Sequence, residues 1–79
     1  MAYELEHVVR LYPEDSKKGE HLEISPNPDA PTSGIRVYTP DDASKKWFGD
    51  IEMFFDANDA RLFGKALIEY ADQFDKDNA

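Results

Sequence analysis

The sequence predicts an α+β domain: a mostly antiparallel four-stranded sheet with one C-terminal helix packed on one face. Three observations carry that expectation. Four short segments alternate apolar and polar residues at the period of a strand. A longer segment follows with apolar residues at helical spacing. No helix separates the early strands, so nothing supplies the crossover that parallel pairing needs. At 79 residues the chain has room for a single domain, 1–79.

The first strand is expected from Tyr3 to Tyr12, with Tyr3, Leu5, His7, Val9 and Leu11 on one face. Pro13 ends it, having no N–H to give to a ladder. Glu14 to Gly19 has the composition of a turn. His21 to Ser25 reads as the second strand, with Leu22 and Ile24 inward, and the two strands are near enough for a hairpin. Pro26, Pro28 and Pro31 then predict an irregular loop through Gly34. Ile35 to Thr39 is the third strand. Pro40 to Lys46 is a loop with room for one helical turn. Trp47 to Phe55 is the fourth strand, with Trp47, Gly49, Ile51, Met53 and Phe55 on one face.

Asp56 is the expected helix cap, with Asp59 three residues on in the capping-box position. Ala60, Phe63, Leu67, Tyr70, Ala71 and Phe74 form one apolar stripe. Gly64 in mid-helix suggests a close approach to a strand. The predicted core joins Leu5, Val9, Leu11, Leu22, Ile24, Ile35, Val37, Ile51, Met53 and Phe55 to Phe63, Leu67, Tyr70 and Phe74.

Composition removes several function classes. Cysteine is absent, which excludes disulfides, thiolate zinc sites and thiol catalysis. No apolar run approaches the roughly 20 residues of a membrane span. The start of the chain lacks the basic and apolar stretches of a signal peptide, so a cytoplasmic protein is expected. Nine Lys or Arg against seventeen Asp or Glu give a net charge of −8, which opposes direct binding to nucleic acid.

The same charge suits a partner that itself holds nucleic acid, because carboxylates on a rigid scaffold can imitate a row of phosphates. Ordinary solubility is the alternative reading of it. A single helix covers one sheet face and leaves the other open. That open face is expected to carry Glu4, Glu6, Val8, Arg10, Tyr12, Glu23, Arg36, Tyr38, Phe48, Asp50, Glu52 and Phe54, aromatic rings among charges. It reads either as a binding face or as the amphipathic outside of an ordinary sheet. The candidate binding residues are Tyr12, Tyr38, Asp50, Glu52 and Phe54, with Glu69 and Asp72 on the outer side of the helix.

Signals for chemistry are few. His7, His21 and Glu23 would make a two-histidine, one-carboxylate metal site if the first hairpin brought them together, but their spacing matches no zinc motif. Asp41 and Asp42 read better as turn formers than as an acid pair. No serine has a nucleophile-elbow context and no glycine-rich loop exists to hold phosphate. Trp47 is expected to pack the sheet end against the helix. Neither catalytic residue, metal nor cofactor is expected.

The stretch Phe55-Asp56-Ala57-Asn58-Asp59-Ala60-Arg61-Leu62, continued by Ala66 to Asp72, resembles the strand-then-capped-helix ending of many short bacterial and phage proteins. In size and charge the chain is similar to phage-encoded inhibitors of host defence, including anti-CRISPR proteins. That resemblance implies an inhibitor that occupies a surface of a nucleic-acid-handling complex; the class has no shared motif and assigns no residue. The expected function is therefore a non-catalytic protein-binding module whose acidic surface blocks a basic partner. The alternative is a small structural or regulatory homodimer joined through the open sheet face.

Overall fold

A computed structural model describes residues 8–16 and 18–78. The expected strand residues Tyr3 to His7 lie outside the described residues. Four strands, β1 (Val9–Leu11), β2 (Leu22–Asn27), β3 (Ala30–Tyr38) and β4 (Glu52–Asp56), form one sheet in the order β1-β2-β3-β4, each pair antiparallel. Two helices, α1 (Asp42–Phe48) and α2 (Ala57–Asp77), flank β4 in sequence. The α+β architecture with a C-terminal helix against an antiparallel sheet is the one read from the sequence.

Two boundaries differ from expectation. The proline-rich segment is not a loop. β2 runs on through Pro26 to Asn27, turns at Pro28 and Asp29, and β3 returns from Ala30. Pro26 pairs with Ile35, and the register shifts between Pro26 and Asn27. Among the described residues β1 pairs with β2 only as far as Ile24, so on that side Pro26 stands at an edge, where its missing N–H breaks no ladder.

The expected fourth strand also starts too early. Trp47 and Phe48 belong to α1, which Asp41 caps by accepting from Ser44 N at 2.7 Å. Gly49 ends the helix at φ 91°, a left-handed conformation that side chains resist, and donates to Lys45 O at 2.7 Å. The alternation from Trp47 to Phe55 is therefore two elements read as one. Trp47 stands on α1, 48% exposed and edge-on to Phe48.

One sheet face is apolar. Leu22 and Ile24 of β2, Ile35 and Val37 of β3, and Met53 and Phe55 of β4 share it by register. The N-terminal part of α2 lies against β3 and β4, and the rings of Phe55 and Phe63 stand 5.2 Å apart. The rest of the expected core is not enclosed. Leu67, Tyr70 and Phe74 are 57, 67 and 60% exposed, and among the described residues no apolar side chain is fully buried. A Cβ at Gly64 would meet nothing within 4 Å, so no strand approaches it. The radius of gyration is 14.5 Å, against about 12 Å for a compact chain of this length.

Candidate binding surfaces

The open sheet face is built by register. Arg10 stands opposite Glu23, Glu23 opposite Tyr38, and Tyr38 opposite Glu52, one residue from each strand in a row. Cross-strand neighbours of this kind touch, and here they close a network. Arg10 Nε lies 3.3 Å from Glu23 Oε1, and the Tyr38 hydroxyl donates to Glu23 Oε2 at 2.5 Å. Arg36 places its guanidinium 3.8 Å over the Tyr38 ring and donates to Glu52 Oε2 at 2.8 Å.

His21 joins the row from the end of the preceding loop. Its Nε2 lies 3.0 Å from Glu23 Oε1 and its Nδ1 2.8 Å from Gly19 O, so both nitrogens face acceptors. That favours the protonated ring: the Glu23 hydrogen bond first, then the Gly19 carbonyl, raise the His21 pKa. Bonds from Tyr38 and then His21 hold Glu23 below the usual carboxylate range, and the same Glu23 bond pushes the Tyr38 hydroxyl up. Tyr12 completes the cluster, its ring 4.9 Å from His21. The loop carrying His21 is tied down from α1, where the fully buried Ser44 accepts from His21 N at 3.1 Å.

The network changes the electrostatic character of this face. Its two carboxylates among the described residues, Glu23 and Glu52, are each matched by an arginine. Among the described residues the excess of acids lies on α2 and in the loops.

The second surface is α2. Its apolar stripe meets the sheet at Phe63 and continues without cover through Leu67, Tyr70 and Phe74; Leu62 and Ile68, 66 and 63% exposed, lie on the helix flanks away from it. Ala66, Glu69, Tyr70 and Gln73, at positions i, i+3, i+4 and i+7, frame a shallow hollow of about 230 Å³. A half-open apolar hollow of about 300 Å³ lies past the end of β1, lined in part by Val9, Ile24, Pro26, Ile35 and Ala57.

The expected binding residues fall in three places. Tyr38, Glu52 and Phe54 share the open sheet face, with Tyr12 at its margin. Asp50 was expected on a strand; it lies in the α1–β4 connection, 4.0 Å from Lys45 Nζ. Glu69 and Asp72 stand exposed on α2, with Glu69 3.9 Å from Lys65 Nζ. Glu23 does meet His21, as a hydrogen-bond acceptor, and His7 lies outside the described residues. Asp41 is a helix cap.

Leu67, Tyr70 and Phe74 were assigned to the core and are surface residues. The signal that separates these roles is length. A helix of 21 residues spans about 31 Å, whereas four strands are about 15 Å across. No helix among the described residues is long and apolar enough to cross a membrane. Comparison with known protein families, curated proteins and solved structures returned no match.

Proposed function

We propose that this chain is a non-catalytic protein-binding module whose contact surface centres on the uncovered part of α2. One observation carries the reading: Leu67, Tyr70 and Phe74 continue an apolar stripe beyond the sheet and stand 57 to 67% exposed. Contiguous apolar surface on a folded chain marks an association site. Aromatic residues that lose water on docking are the usual anchors of such a site. The open sheet face contributes less, because its charged groups already satisfy one another.

The test is a photoreactive residue at position 70 in the native host. Cross-linking of α2 to protein supports the module, and irradiation that yields no adduct to any protein overturns it.

A second reading keeps the acidic inhibitor, which would occupy a basic nucleic-acid-binding partner. The net charge of −8 and the exposed Glu69 and Asp72 favour it. Affinity for such a partner falls steeply with added salt. Equal affinity at low and high salt would remove this version while leaving the apolar one intact.

A further inference from the structure

We infer that the occupant of the α2 stripe is a second copy of this chain, and that the protein is a homodimer joined helix to helix. The inference rests on the protein-binding reading above and names its partner.

Surface area points to the size of what is missing. The chain exposes 6507 Å². A folded monomer of 9.0 kDa exposes about 4,850 Å². Even after a generous allowance of about 1,200 Å² for the first seven residues, the remainder of about 5,300 Å² exceeds the roughly 4,500 Å² expected of a folded monomer made of the other residues by about 800 Å². A standard interface removes about 800 Å² from each partner. The uncovered surface is therefore what a stable dimer needs.

The shape of the surface points to a helix. Beside the stripe, and sharing Tyr70 with it, Ala66, Glu69, Tyr70 and Gln73 have the four-residue spacing that receives a knob from a facing helix. A two-fold pair uses one patch twice, each stripe supplying the other's knobs.

The absence of any fully buried apolar side chain among the described residues points to a permanent partner. Chains this small reach stability through association when one copy cannot close a core. A second copy is the one partner present whenever the chain is made.

Sedimentation of the intact protein tests this. The expected mass is twice 9.0 kDa down to low micromolar concentration. Leu67→Asp together with Phe74→Asp should weaken self-association by at least about 100-fold with the far-ultraviolet dichroism of the sheet retained. Phe54→Asp, on the open sheet face, should leave the dimer unchanged. Added salt should hold or tighten it, since each copy carries −8.

A wild-type monomer at about 100 μM would overturn the inference, because a dimer that weak could not complete a core. Dissociation by Phe54→Asp but not by the α2 pair would overturn it too, by moving the interface to the sheet. The cross-link at position 70 separates the two levels. Adducts only to other proteins end the homodimer and keep the binding module; adducts to no protein end both.

Discussion

Glu23 takes three bonds at once, from Arg10, His21 and Tyr38, and it does so because each stands beside it across a strand or at its own strand's start. Removing one partner leaves the carboxylate with the other two. Tyr38→Phe should therefore cost about 1.5–3 kcal/mol in urea unfolding, the size of a hydrogen bond to a charged group. The same cluster sets a pH dependence. An imidazole whose folded pKa is raised above its ordinary 6.5 contributes fully below that pH and loses its contribution as pH rises through the raised value. Glu23, held below its ordinary 4.5, contributes above that pH and loses it as pH falls through the lowered value. The cluster thus stabilises most between about pH 4.5 and 6.5. His21→Gln should flatten the decline in melting temperature above that window, and a variant with the wild-type slope would show that His21 does not carry it.

α2 is anchored at its start and open along its length. Asp56 Oδ1 accepts from Asp59 N at 2.8 Å, so Asp56→Ala should cost about 1 kcal/mol by calorimetry. Gly64 meets nothing, and Gly64→Ala should raise stability by up to about 1 kcal/mol through helix propensity alone. A loss there would mean that a neighbour approaches the backbone. The Asp56 cap was legible in the sequence, and the close approach expected at Gly64 is absent from the structure. The cap, the helical stripe, the antiparallel pairing and the outward placement of Arg10, Glu23, Tyr38 and Glu52 follow from local rules of period and propensity; the strand order and the register that sets those four in one row do not. The elements that escaped were decided by context. Pro26 is admitted to β2 because, among the described residues, β1 pairs with β2 only as far as Ile24 and asks no donor of it. Trp47 and Phe48 are helical because Asp41 and Gly49 cap a short segment at both ends. Periodicity reported that Leu67, Tyr70 and Phe74 share a face; it carried no information on whether the sheet reaches far enough to cover them.

At the scale of the whole molecule, one sheet face is self-satisfied and the helix is not. The charged groups of Glu23 and Glu52 are paired within the sheet, so among the described residues the acidic excess belongs to α2 and the loops. Leu67→Ala separates the isolated chain from the assembly. Against solvent, where Leu67 is 57% exposed, truncation should cost under about 0.5 kcal/mol; enclosed by a partner it should cost about 2–5 kcal/mol. The most direct measurement is the melting temperature of the wild-type protein as a function of its own concentration. Folding coupled to dimer formation makes that temperature rise with each tenfold increase in protein. A melting temperature that stays fixed from low micromolar to near-millimolar protein would contradict the account.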